Sequence, residues 1–287
     1  MKKKCKIRLA LILFAIAAFL SAFFVLSYDP PEKITINYDN GDRGKIIKNS
    51  PQGDKPSGDS IKKENTETID RQATVEKWKG EDISRIKTDK KFIALTFDGG
   101  ANADGAGKIL SILKDNGIKG TFFLTGKFIE KYPGETAMIF ASGGNVGNHS
   151  YSHPYFTKLT GEEINTELEK TENALLKLNL EFHPFFRFPY GDRNRETIYA
   201  INGKNYISIR WTVDSLGWEG TSGGMTKESV ESRVLSKAAA GAIVLMHLGT
   251  NPDDKTQLDS EALPGIISAL KTQGYEFMTM TEMLNYK

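Results

Sequence analysis

One cysteine among 287 residues leaves Cys5 nothing to pair with, which excludes a disulfide framework, a cysteine-ligated zinc site and a CxxC redox centre. Histidine is scarce too: with four in the chain, any imidazole chemistry has to draw on most of them. No internal repeat and no glycine-rich phosphate fingerprint occurs, which sets aside the common nucleotide-binding sites. A basic footprint is also missing. The formal net charge is +2, from 38 Lys and Arg against 36 Asp and Glu, but Lys2, Lys3, Lys4, Lys6 and Arg8 supply five positive charges before the first acid. The remainder carries 33 basic and 36 acidic residues, a balance that offers no electrostatic footprint for nucleic acid. Apolar material is plentiful. Hydrophobic residues make up 39% and aromatics 10%, enough for a sizeable core and too much for a wholly disordered chain. At about 150 residues per domain, the length suits one large domain with an appendage, or at most two modest domains.

The appendage is at the amino end. Residues 9–28 carry no charge and follow the basic cluster directly. Their number matches the ~20 residues that a helix needs to cross a bilayer. The basic flank predicts a cytoplasmic amino end, with everything after Tyr28 outside. The rival is a cleaved secretory signal, whose apolar part runs to about 7–15 residues. Here the run is longer, and Ser21-Ala22 leads into Phe23-Phe24-Val25-Leu26 with no small-x-small cleavage site. Residues 1–28 are therefore expected to be an uncleaved single-pass anchor in the cell membrane. Cys5 precedes the apolar run, so a lipoprotein cysteine does not fit; it is either palmitoylated or inert. Residues 29–80 read as an extracellular linker. Pro30-Pro31, Asn40-Gly41, Asn49-Ser50-Pro51 and Pro56-Ser57-Gly58 punctuate a polar, lysine-rich stretch with few aromatics. A short helix within residues 61–78 is conceivable there, though its apolar spacing is poor.

Residues 81–287 alternate strand and helix patterns. Strands are predicted at residues 92–97, 121–124, 145–148, 185–188, 207–213, 242–246 and 276–280. Helices are predicted at 106–116, around 135–141, from a capping box at Thr160-Gly161-Glu162-Glu163, near 196–201, and at 226–239 and 262–272. About seven such units indicate a parallel α/β barrel or a doubly wound sheet. In a barrel the chemistry sits at the carboxyl ends of the strands. Polar residues collect there: Asp98 after the first strand, His149 and His153 after the third, Arg187 and Tyr190 after the fourth, Asp214 and Trp218 after the fifth, and His247 ending the sixth. His183 precedes Pro184 ahead of its strand and has no assigned role. The i, i+4 spacing of His149 and His153 places both imidazoles on one side of a helical turn, in reach of one metal ion. The pattern is not HExxH, because Ser150 and Tyr151 stand where a general-base Glu would be.

Five segments in order, Thr96-Phe97-Asp98-Gly99-Gly100, His149-Ser150-Tyr151-Ser152-His153, Arg187-Phe188-Pro189-Tyr190-Gly191, Asp214-Ser215-Leu216-Gly217-Trp218 and Leu245-Met246-His247, resemble the motifs of polysaccharide deacetylases, the NodB-homology domain of carbohydrate esterase family 4. The resemblance spans residues 92–277. It implies a distorted (β/α) barrel of about seven parallel strands, preceded by the transmembrane helix and flexible linker. It also implies hydrolysis of an acetyl group from a sugar. By the same resemblance His149 and His153 hold a divalent metal, zinc, and Asp98 is the general base, fixed and kept ionised by Arg187. The backbone N–H of Tyr190 stabilises the oxyanion. His247 protonates the departing amine with Asp214 favouring its charged form, and Trp218 and Leu245 wall the acetyl pocket.

One position departs from the family. Gly99 stands where a second Asp usually supplies the third metal ligand, and it offers no side-chain oxygen. Either Asp104 or Asn102, in the turn that follows, is then the candidate replacement, a turn that Gly99-Gly100 makes permissive. Three functions stay open at this level. The leading one is removal of N-acetyl groups from a cell-wall polysaccharide, peptidoglycan being the nearest acetylated glycan to a membrane-tethered body. The others are an esterase for O-acetyl polysaccharide such as xylan, and a glycan-binding protein that has lost catalysis.

Overall fold

The computed structural model describes residues 71–286. The expected anchor and residues 29–70 of the expected linker lie outside the described residues. Among the described residues no helix is long and apolar enough to cross a membrane.

One sheet organises the body. Its strands are β1 (Asp82–Ile83), β2 (Phe92–Gly99), β3 (Thr121–Leu124), β4 (Asn145–Asn148), β5 (Phe185–Phe186), β6 (Ile207–Ile209), β7 (Val213–Asp214), β8 (Ala242–His247) and β9 (Glu276–Phe277). They run in the order β1-β6-β5-β4-β3-β2-β8-β7, with β9 pairing β2, and every strand pair is parallel. Helices fill the crossovers, so the expected α/β class and parallel curled sheet are observed. The two ends of the path are drawn together by loop contacts. Arg210 N donates to Ile83 O at 2.8 Å, Thr212 Oγ1 to Ser84 O at 2.6 Å, and Ile86 N to Gly241 O at 2.9 Å.

The strand period of two decides which residues face the concave interior of the curled sheet. In β2 all eight residues are buried, as expected when both faces are covered. Ile93, Leu95 and Phe97 point outward into a cluster with Ile109, Leu113 and Ile267 of the helix layer. Phe92 and Ala94 point inward, into a second cluster with Phe123 of β3, Phe185 of β5, Ile207 and Ile209 of β6 and Ile243 of β8. Fully burying a side chain such as Phe123 contributes roughly 1.5–3 kcal/mol. Continuing the inward rows toward the carboxyl ends replaces apolar residues by polar ones: Thr96 and Asp98, Gly147 then His149, Arg187, Leu245 then His247. One alternation thus builds both the hydrophobic floor of the curled sheet and the group of polar side chains above it.

Several sequence expectations are corrected. The linker does not extend to Gly80: a helix at Arg71–Lys77 buries Val75 into the inner cluster, and Gly80 N donates to Asn202 Oδ1 at 2.8 Å. Its apolar spacing reads as poor because this short helix has a single residue to bury. The strand expected at 207–213 is two, β6 and β7, because the chain leaves one neighbour and joins another: β6 pairs β1 and β5, whereas β7 pairs β8. The segment expected as a strand through 280 ends at Phe277, and Thr279 opens a capped helix at Met280–Asn285 whose Met280, Met283 and Leu284 pack in the inner cluster. The sheet has nine strands rather than about seven, because one expected strand is divided into β6 and β7 and the two-residue β1 lies in a stretch read without a strand. The Thr160 capping box forms as expected and opens the helix Gly161–Leu176.

Candidate active site

Arg187 is completely buried, and every donor group it carries is used. Its Nη1 donates to Asp98 Oδ1 at 2.7 Å and to Thr96 Oγ1 at 2.9 Å, Nε to Ile209 O at 3.2 Å, and Nη2 to Arg210 O at 3.1 Å. The guanidinium also lies 4.1 Å from the centre of the Phe123 ring, at the top of the hydrophobic floor. A charge in this position is tolerable because a carboxylate and three further acceptors replace its water shell. Burial acts to raise the Asp98 carboxyl. The Arg187 charge, followed by His149 and His247, outweighs it and holds Asp98 below the ordinary carboxylate value.

Asp98 Oδ2 lies 3.4 Å from His149 Nε2. The other ring nitrogen of His149, Nδ1, is 2.8 Å from the Arg187 carbonyl oxygen. A carbonyl can only accept, so Nδ1 carries the proton and Nε2 presents its lone pair to Asp98 and the cleft. The expected helical turn for His149 and His153 is not formed. Ser150 and His153 adopt left-handed φ of 66° and 63°, and the loop folds back so that the imidazole rings meet edge to face at 4.9 Å. Burial lowers the pKa of both rings, that of His153 to about 3, so both are neutral donors near neutral pH. Glu167, which sequence reasoning missed, fixes this loop: its carboxylate accepts from Tyr151 N at 2.8 Å, Ser152 N at 2.7 Å and Ser152 Oγ at 2.8 Å. Its only signal in the sequence is its place on the helix that follows the motif.

His247 faces Asp98 across the β2–β8 ladder, where the two are register partners. Asp214, expected as the partner of His247, instead accepts from Leu216 N at 2.9 Å and makes no ion pair with the imidazole. The near carboxylate is Asp259, whose Oδ2 is 3.7 Å from His247 Nδ1 and accepts from His247 N at 2.8 Å. Burial acts to lower the His247 pKa; the nearby Asp259 carboxylate first, then Asp98 and Asp214, raise it above the ordinary imidazole value. Tyr190, with φ 58°, lines the same cleft, and among the described residues no other element accepts from its N–H. Its ring stacks on Tyr155 at 4.3 Å and meets His153 edge to face at 4.4 Å. Trp218 is half exposed at the rim and Leu245 is buried in the wall.

Asp98, His149, His153, Tyr190, Asp214, Trp218, Leu245 and His247 all border one cleft of about 610 Å³, with Arg187 beneath it. The structure therefore brings every predicted site residue together. His183 is elsewhere, at the opening of β4, accepting from Val146 N through Nδ1 at 3.1 Å.

The fit to a divalent cation is incomplete. His149 and His153 supply two neutral imidazoles, a donor set suited to zinc. The third place is not supplied. Gly99 continues the outward row of β2, and a Cβ there would meet Leu124 Cδ2 at 2.8 Å, Leu248 Cδ1 at 3.1 Å and Phe128 Cε2 at 3.3 Å, pointing to the helix layer and away from the cleft. Asn102 and Asp104 do not replace it. Asn102 Oδ1 accepts from Thr250 N at 2.9 Å, Asp104 Oδ2 accepts from Thr250 Oγ1 at 2.9 Å, and neither borders the cleft. Among the described residues no group of three or more His, Cys, Asp or Glu is arranged to hold a metal.

Comparisons with known proteins agree with this geometry. Residues 85–207 match the sequence pattern of the polysaccharide deacetylase family. Over 194 residues the chain is 34% identical to a peptidoglycan-N-acetylglucosamine deacetylase of Bacillus cereus, covering 68% of each protein. It is 34% identical over 206 residues to the corresponding deacetylase of Listeria monocytogenes, covering 72% of this chain and 41% of that one, so it spans less than half the length of that relative. Among solved structures, a family 4 pseudoenzyme from Bacillus anthracis superposes with a TM-score of 0.65 at 32% identity, covering 72% of this chain and 69% of that one.

Proposed function

The chain belongs to the polysaccharide deacetylase family, carbohydrate esterase family 4, a family of hydrolases; from that premise we propose that it removes N-acetyl groups from the cell-wall polysaccharide peptidoglycan. The observation that supports this most is the convergence of Asp98 and His247, side by side on neighbouring strands, at one cleft, a base held ionised and an acid whose charged form is favoured.

Asp98 Oδ2 takes a proton from a water molecule as its oxygen attacks the acetyl carbonyl carbon. Arg187 keeps the carboxylate placed throughout. The oxyanion that forms takes a hydrogen bond from the Tyr190 N–H, a kind of donor typically worth ~3 kcal/mol in the transition state. His247 then gives a proton to the nitrogen as the carbon–nitrogen bond breaks, and acetate and a free amine leave. Leu245 and Trp218 surround the acetyl methyl and shed water from it. His149 and His153 are the residues that would hold a zinc ion, which when bound would polarise the carbonyl and acidify the attacking water. The chain's own residues define the rest of the reaction.

The basic cluster followed by the apolar residues 9–28 supports a location at the outer face of the cell membrane, with the hydrolase body tethered in reach of the wall. Fractionation and protease accessibility of the full chain in cells check this; a body protected from external protease would contradict it.

A second reading, glycan binding without turnover, is favoured by one observation, the missing third ligand at Gly99, and by the likeness to a pseudoenzyme. Acetate release from peptidoglycan and from N-acetylglucosamine oligomers, with zinc supplied, separates the two. Saccharide binding with no acetate, unchanged by Asp98→Asn, selects the second; O-acetyl substrates in the same panel decide the bond.

A further inference from the structure

The proposed chemistry leaves one buried acid unused. Asp259 sits in the first turn of the helix Leu258–Thr272, where an acidic residue ordinarily faces solvent or caps its own helix. Here it is 3% exposed. It caps nothing: Oδ2 crosses to another element and accepts from His247 N, while Oδ1 is buried and has no hydrogen-bond partner. His247 Nδ1 is likewise buried without a hydrogen-bond partner, 3.7 Å from Asp259 Oδ2. Among the described residues the unsatisfied Nδ1 thus lies just beyond hydrogen-bond reach of a carboxylate that already accepts from the same residue's N–H through Oδ2 and has Oδ1 unused. Space for the carboxylate is made by Gly217, where a Cβ would lie 2.6 Å from the Asp259 carboxyl carbon.

We propose that Asp259 is the positioning residue of His247: it holds the imidazole by Nδ1–H, so that Nε2 is the nitrogen presented to the cleft, and it stabilises the imidazolium that donates the proton. The inference rests on the deacetylase reading only for the fate of that proton. A carboxylate on Nδ1 fixes the ring tautomer and makes the opposite nitrogen more basic. Other groups also face His247. Asp98 from β2 and Asp214 from β7 favour its charged form, and His149 and His153 from the loop after β4 are the remaining ionisable neighbours. Only Asp259 comes within ion-pair distance of the ring among the described residues.

The experiment is an NMR titration of the histidine-labelled full chain, with His247 assigned by substitution, alongside steady-state kinetics. In the unsubstituted protein the neutral form of His247 should carry its proton on Nδ1. Asp259→Asn, which keeps an acceptor for His247 N and removes the charge, should lower the His247 pKa by about one unit. It should also lower kcat about ten- to a hundredfold, less than the 10²–10⁴-fold a general acid itself typically contributes, with KM within about twofold. Asp259→Glu should restore part of the shift. An Nε2–H tautomer in the unsubstituted protein, or an unchanged His247 pKa in a folded Asp259→Asn variant, overturns the proposal, whatever the variant does to stability. The titration needs no substrate: a protein that releases no acetate yet shows the shift contradicts the deacetylase reading and leaves this assignment standing.

Discussion

The Asp98 carboxylate accepts a 2.7 Å hydrogen bond from the Arg187 guanidinium, and neither side chain is exposed beyond 8%. The two come from β2 and the end of β5, strands that are not neighbours in the sheet, and meet because both lie on inward rows of the same curled sheet. Removing one member leaves a buried charge without its counterpart. Arg187→Met should therefore destabilise the fold by about 3–5 kcal/mol, read by urea unfolding. A loss under about 1 kcal/mol would show that the pair is not the buried ion pair described.

Stability at acid pH follows from the same pair. Asp98 titrates below its ordinary value in the folded protein, so its contribution is complete above the unfolded carboxyl pKa of about 3.9 and is lost as the pH falls below it. Asp98→Asn should flatten the acid limb of the stability profile. An acid limb unaltered by the substitution would place the sensitivity in other carboxylates.

On the proposed chemistry, activity at alkaline pH depends on His247 being charged. Its pKa is raised above about 6.5, so the alkaline limb of kcat should fall at a pH above that value, and Asp259→Asn should move it to lower pH. A limb that does not move on Asp259→Asn would separate it from His247.

Zinc binding should need both imidazoles and nothing from the turn after β2. His149→Ala and His153→Ala are each expected to abolish calorimetric zinc binding, while Asp104→Ala leaves the affinity unchanged because that carboxylate is engaged by Thr250. A marked loss of affinity in Asp104→Ala would restore Asp104 as a ligand.

Gly217→Ala should displace Asp259, since the added carbon meets a carboxylate oxygen at 2.3 Å. Overpacking of this kind typically costs about 1–3 kcal/mol, and the His247 resonance should shift with it. A variant with unperturbed His247 would show that the carboxylate moves away freely.

Much of this site was legible in the sequence because a period of two is hard to hide. Once β2 reads Phe92 to Phe97 as a strand, Asp98 has to follow on the inward row, and the same counting places Arg187 and His247. Resemblance then supplied roles that alternation alone does not give. Asp259 and Glu167 were not legible, because each is an acid on a helix, a place where acids are ordinary, and only the fold shows one buried and the other bonded to the histidine loop. The conformation of that loop was hidden for a related reason: an i, i+4 spacing suits a helical turn, whereas the positive φ of Ser150 and His153 has no glycine to announce it. The route of the chain between β6 and β7 depends on non-local pairing, which no local pattern carries.

Acetate release from purified peptidoglycan by the full chain, with zinc supplied, compared with Asp98→Asn, bears most directly on the claim that this cleft is a working deacetylase site. Release by the unsubstituted protein that falls roughly 10²–10⁴-fold in the variant is the predicted result. No release by the unsubstituted protein, or equal release by both, would contradict it.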